Sequence, residues 1–156
     1  MATIVDDDRG ITAFRVLVVE DFEPFRQFIR SKLRENPDWR LICEVADGLE
    51  AVRKAEELQP DLVLLDVGLP MLNGIEAARQ IRNLSPNSKI VFVSQESSAD
   101  VVAEAFRLGA LGYVAKTDAG SDLLLAVSAA LRGERFASSK FADHCFIGAS
   151  KAVVTC

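Results

Sequence analysis

Leu62-Val63-Leu64-Leu65-Asp66-Val67-Gly68-Leu69-Pro70 sets an unbroken apolar run directly against a carboxylate and a turn-forming loop. An apolar run without alternation is what a strand buried on both faces looks like. Four others flank it: Phe14–Val19, Leu41–Val45, Lys89–Val93 and Leu111–Ala115. Between the runs, apolar residues recur at helical spacing. Phe25, Ile29 and Leu33 follow Pro24; Val52, Ala55 and Leu58 precede Pro60. Ile75, Ala78 and Ile81 follow Gly74, and Val102, Ala105 and Phe106 precede Gly109. Leu124, Val127 and Leu131 lie between Ser121, a candidate N-cap, and Gly133. Strand and helix alternate five times, which predicts an α/β fold, doubly wound around a five-stranded parallel sheet. The pattern divides the chain into a leader (1–13), the folded unit (14–133) and a tail or linker (134–156), the last without a clear period.

The 156 residues are 49% apolar and 26% charged, ordinary for a globular protein large enough to bury a core. With a net charge of −5 and no block of Lys or Arg, the chain is not expected to bind nucleic acid by itself. Asp6, Asp7 and Asp8 stand where a signal peptide would need basic and then apolar residues, and no stretch is long enough to span a bilayer. Cys43, Cys145 and Cys156 form no C-x-x-C pair. Neither a zinc site nor a disulfide framework is indicated, and the expected compartment is the cytoplasm.

Ligands of open α/β sheets bind beyond the carboxyl ends of the strands. There the first strand ends in Glu20 and Asp21, the third in Asp66, the fourth in Ser94 and the fifth in Lys116. The second ends in Asp47 and Gly48, but its expected place at the sheet edge argues against a site role. Magnesium prefers hard oxygen ligands, which Asp21 and Asp66 can supply while Glu20 holds a metal-bound water. A carboxylate can attack phosphorus to give an aspartyl-phosphate, and Lys116 and the Ser94 hydroxyl then meet the phosphoryl oxygens. Each residue alone has a bland account: a turn, a cap, a solvated lysine. Four successive strand ends together do not. His144, Trp39 and Met71 carry no such pattern.

These stretches resemble the receiver family of two-component response regulators. Val16-Leu17-Val18-Val19-Glu20-Asp21 is similar to its acidic-pair strand, and Asp66 through Gly74 to its phosphoacceptor loop. Val91-Phe92-Val93-Ser94 resembles its hydroxyl strand, and Gly109 through Lys116 its switch-aromatic and lysine strand. The resemblance covers roughly residues 14–133 and implies a flavodoxin-like (βα)5 receiver. It also implies Asp66 as phosphoacceptor and Mg2+ held by Glu20, Asp21, Asp66 and the Gly68 backbone carbonyl. Ser94 and Tyr113 would be the switch pair, and a sensor histidine kinase the donor. The chain would be a signalling protein, not an enzyme beyond its own phosphoryl transfer. Its surface of fourth helix, fifth strand and fifth helix, or of first and fifth helices, would then change and dimerise on phosphorylation. The stretch from Gly112 to Glu134 is similar to the nitrate-response and nodulation (LuxR-type) branch. Those regulators carry a helix-turn-helix module that is absent here, so the chain is either a stand-alone receiver or the regulatory part of a longer DNA-binding regulator.

Two departures from that family stand out. Thr117 follows Lys116 where many receivers have a cis-proline; a cis bond there would cost about 3–4 kcal/mol, so a trans loop is expected. Gln95 follows Ser94 where the family usually has a small residue, which bears on access to Asp66. A haloacid-dehalogenase phosphatase would need an acid where Gly68 stands and a cap domain. A phosphorylation-independent interaction module would have no need of the full set of site residues. A nucleotide-binding flavodoxin-like domain would want a Gly-rich loop after the first strand.

Overall fold

The computed structural model describes Thr3–Ile4 and residues 13–144, with side chains described over residues 13–141. Asp6–Asp8, the side chain of His144, and Cys145 and Cys156 therefore lie outside the described residues. Strands β1 (Thr3–Ile4), β2 (Phe14–Val19), β3 (Trp39–Val45), β4 (Leu62–Leu65), β5 (Lys89–Ser94), β6 (Gly112–Ala115) and β7 (Phe136–Ala137) form one sheet. Helices α1 (Glu23–Leu33), α2 (Gly48–Leu58), α3 (Gly74–Leu84), α4 (Ala99–Arg107) and α5 (Ala119–Leu131) connect the middle strands.

The sheet order is β1-β3-β2-β4-β5-β6-β7. β2 through β7 run parallel, while β1 is antiparallel to β3. The expected five-stranded parallel sheet is thus corrected to six parallel strands. The additional one is β7, inside the stretch that had no readable period, because two residues are too few to show alternation. The five expected runs do form the five central strands, and Lys89–Val93 extends to Ser94.

Every residue of β4 is buried, as an apolar run between two helical layers must be. Ile29 and Leu33 of α1 and Leu123 and Val127 of α5 pack against Val16, Val18, Leu62, Leu64 and Val91 on one face. Ala51 of α2, Ala77 and Ile81 of α3 and Phe106 of α4 pack against Leu17, Val19, Val63, Leu65 and Phe92 on the other.

Helix starts follow side-chain chemistry. Asp47 accepts the Glu50 amide at 2.8 Å to cap α2, and Asn73 accepts that of Glu76 at 2.9 Å to cap α3. Each such cap contributes about 1 kcal/mol. Asp47 therefore has a local capping role, but its strand β3 is not the sheet edge that was expected, because β1 pairs along its outer side. Helix α5 starts earlier than Ser121, at Ala119, after a 3-10 turn over Lys116–Asp118. The Ser121 hydroxyl instead donates to the Asp118 carbonyl at 3.1 Å.

Gly74 fixes how close α3 comes to the loop after β4. A Cβ there would stand 1.9 Å from the Asp66 carbonyl oxygen, and the Gly74 amide donates to the Val67 carbonyl at 2.7 Å. Gly120, by contrast, has nothing within 4 Å of such an atom. Gly74→Ala should lower unfolding stability by roughly 1–3 kcal/mol through forced backbone movement. Gly120→Ala should leave it unchanged or raise it by about 0.5–1 kcal/mol. Urea midpoints of both variants check the contrast; equal midpoints would contradict the close-approach account.

Candidate functional site

The carboxyl ends of β2, β4, β5 and β6 bring Glu20, Asp21, Asp66, Ser94 and Lys116 to one rim of the sheet. Glu20 is 1% exposed and Asp66 7%, whereas Asp21 is exposed. One oxygen from each of the three carboxylates lies within 4.8 Å of the others. The Lys116 ammonium sits 2.9 Å from Glu20 Oε1, 3.1 Å from Glu20 Oε2 and 3.0 Å from Asp66 Oδ2. It also lies 4.7 Å from the centre of the Phe25 ring on α1, an apolar floor with favourable cation–π character.

The remaining acceptors find backbone donors. The Phe22 amide donates to Glu20 Oε2 at 3.0 Å, and the Gly68 amide donates to Asp66 Oδ1 at 3.3 Å. Gly68 itself is exposed in the loop after β4. Arg26 reaches the Glu20 carbonyl at 2.9 Å and so ties α1 to the acidic corner. Met71, in the same loop, is 75% exposed with a left-handed φ of 70°.

Burial raises the Glu20 carboxyl above the ordinary range; Lys116 and the Phe22 amide oppose that shift, and Asp66 adds to it. For Lys116, burial acts downward, but the contacts with Glu20 and Asp66 outweigh it and hold the ammonium above the ordinary lysine value. Raising a carboxyl stabilises the fold only below its unfolded titration range, and that stability is lost as pH rises through the folded value. At neutral pH the ionised Glu20 carboxylate therefore opposes folding, while the raised Lys116 ammonium contributes stability that is lost only as pH rises through its own folded value. The oxygen-only donors and Glu20 Oε1, buried without a hydrogen bond of ordinary geometry, fit a small hard cation.

Ser94 is 2% exposed, and its hydroxyl accepts the Glu96 amide at 3.0 Å. The Tyr113 hydroxyl donates to the carbonyl of the same Glu96 at 2.7 Å. One loop residue thus links the two members of the expected switch pair. Tyr113 is fully buried between Phe92, 5.9 Å away by ring centres, and Phe141, 5.2 Å away and edge-on. Burial holds its phenol far above the ordinary tyrosine range. Tyr113 belongs to the face packed by α2–α4, while Lys116 lies over Phe25 on the α1 side, so the two point to opposite faces as their three-residue separation predicts. Gln95 is exposed at the start of the loop after β5. All peptide bonds are trans among the described residues, including Lys116–Thr117.

Phe25, Glu96 and Phe141 were not singled out as site neighbours from sequence. Phe25 reads there only as a core position of α1. Glu96 acts through its backbone, which no side-chain pattern announces, and Phe141 lies in the stretch without a period.

Such a sheet, with acid pair, buried aspartate, hydroxyl and lysine at successive strand ends, defines a receiver class of α/β domain. Residues 16–128 match the family described as Response regulator receiver domain, and the chain belongs to that family. It is 37% identical over 128 residues to the transcriptional regulatory protein LiaR of Bacillus subtilis, covering 82% of this chain and 61% of the relative. It is 38% identical over 111 residues to protein-glutamate methylesterase/protein-glutamine glutaminase 1 of Methanosarcina acetivorans, covering 70% of this chain and 32% of that protein. The chain therefore spans less than two thirds of these relatives' lengths. The crystal structure of a LuxR-family two-component response regulator from Aurantimonas sp. SI85-9A1 superimposes with a TM-score of 0.79 at 33% identity, covering 85% of this chain and 95% of that one. Among the described residues no helix is long and apolar enough to cross a membrane.

A divalent cation at the acidic corner should stabilise the fold by about 1.4 kcal/mol at tenfold excess over its dissociation constant. Magnesium should therefore raise the melting temperature of the wild type, and Asp21→Asn should lose most of that rise. A variant that keeps the full shift would place the cation elsewhere.

Proposed function

We propose that this chain receives a phosphoryl group on Asp66 from a sensor histidine kinase, with Mg2+ bound at Glu20, Asp21, Asp66 and the Gly68 carbonyl. The observation that carries this reading is the Lys116 ammonium 3.0 Å from Asp66 Oδ2 at the end of the central strand, beside an oxygen-only acidic corner. The cation, when bound, would neutralise charge developing on the phosphoryl oxygens. Lys116 provides a second positive charge for those oxygens, and the Ser94 hydroxyl can turn its proton toward them. Asp66 is the nucleophile, its other oxygen held by the Gly68 amide. Exposed Phe22, whose amide holds Glu20, offers apolar contact to the donor protein beside the carboxylates.

The output is transmitted through Ser94, Glu96 and Tyr113 to a surface that pairs two copies of the chain. The candidate surfaces are that of α4, β6 and α5, where the segment after α5 pairs along the outer side of β6, and that of α1 and α5. Residues 14–133 form the receiver proper, preceded by a leader and followed by a tail or linker. The chain works in the cytoplasm, as a stand-alone receiver or as the regulatory part of a longer transcription regulator.

Incubation with acetyl phosphate and magnesium should add one phosphoryl group by intact mass, and Asp66→Asn should abolish it. Undiminished labelling of that variant would refute the assignment.

Gln95, exposed beside the approach to Asp66, narrows access to the acceptor by its bulk. Gln95→Ala should speed labelling by small phosphodonors and shorten the phosphoryl lifetime, with a tenfold change equal to about 1.4 kcal/mol of barrier. A longer lifetime in the variant would instead mean that the amide orients the attacking water.

A further inference from the structure

The segment after α5 is fastened to the strand that carries Tyr113 and leads into Lys116. Ser138 is fully buried, and its amide donates to the Tyr113 carbonyl at 3.1 Å. This continues the ladder begun by the Phe136 amide on the Leu111 carbonyl at 2.8 Å. The next rung of a parallel ladder would join the Ala115 amide to the Ser138 carbonyl. The Ser138 hydroxyl takes that place, accepting the Ala115 amide at 3.0 Å and donating to Asp122 Oδ2 on α5 at 2.8 Å. The Ser138 carbonyl accepts the Phe141 amide at 2.8 Å instead, and the chain turns into the 3-10 segment Ser139–His144. That turn sets Phe141, 3% exposed, edge-on against Tyr113 at an interplanar angle of 81°.

The simpler account makes Ser138 a strand terminator and nothing more. Its partners argue otherwise. Ala115 immediately precedes Lys116, and Asp122 lies in the first turn of α5, just beyond the 3-10 turn over Lys116–Asp118. Through one hydroxyl, both flanks of the turn bearing the site lysine are held, and the ring closing over Tyr113 is seated by the same residue's carbonyl.

We propose that Ser138 is a positioning residue of the phosphoryl site, coupling the seat of the segment 136–144 to the phosphorylation state of Asp66 through Ala115–Lys116 and Tyr113. This deepens the receiver reading and rests on it. Because coupling between sites is reciprocal, each end should report on the other. In the wild-type chain with magnesium, beryllofluoride should slow amide hydrogen exchange in residues 136–144 by about fivefold, within the usual range of such couplings. In the other direction, Ser138→Ala should slow acetyl phosphate labelling by about fivefold or more. It should also move the fluorine resonance of 3-fluorotyrosine at Tyr113, the chain's single tyrosine, before any phosphodonor is added. Exchange that ignores beryllofluoride while the wild type labels on Asp66 overturns the coupling, as does a folded Ser138→Ala chain with wild-type labelling and an unmoved resonance. Should that variant not fold, the exchange measurement on the wild type decides alone. A wild type that takes no phosphoryl group would overturn the receiver reading itself and this inference with it.

Discussion

The ammonium of Lys116, held between Glu20 and Asp66, joins the ends of three different strands at one point. Each partner needs the others. A carboxylate as buried as Glu20 would be costly alone, and removing one member of such a group typically costs 3–5 kcal/mol because the remaining charge is left uncompensated. The group nonetheless stays short of positive charge, since Asp21 stands at the same corner. A site that remains too negative after folding is poised to take up a cation and, with it, an anionic group. Stability at this corner is incomplete by construction, as it often is where chemistry is done.

Distance from the carboxylates is bridged by very few atoms. The Glu96 peptide spends its amide on Ser94 and its carbonyl on Tyr113, so neither side chain can move far without disturbing the same short loop. The tyrosine is sealed by Phe92 on the sheet side and Phe141 on the other. Close-packed interiors of this kind move between discrete arrangements instead of deforming smoothly.

Much of this could be read from the sequence because parallel strands buried on both faces announce themselves as unbroken apolar runs. Leu62–Leu65 is the plainest case, and the residue that ends it, Asp66, is the centre of the site. Gly74 and Pro70 mark the loop for reasons of space and turn geometry that act locally. What escaped notice acts at long range or through the main chain. Phe136 and Ala137 form a strand only because β6 has a free side to receive them, which nothing in two residues can reveal. Ser138 resembles any other loop serine until Ala115 and Asp122 are seen around it. Ser121 misled in the opposite sense: it has the chemistry of a cap, but the helix had already begun at Ala119.

Strands β1 and β7 both come from outside the repeating strand–helix unit, one before it and one after, and each lies along an outermost strand of that unit. An unpaired strand border is a template for adding a foreign chain, and natural sheets commonly cover theirs. In this fold the cover is short, two residues on either side, and antiparallel on one flank only. The two flanks are therefore guarded against self-association by the very segments that a boundary drawn around the repeating unit would discard. A chain trimmed to that unit would lose Phe136, Ala137 and Phe141 from its core as well as gaining two sticky margins, so aggregation of the trimmed chain would mix a weakened interior with exposed borders.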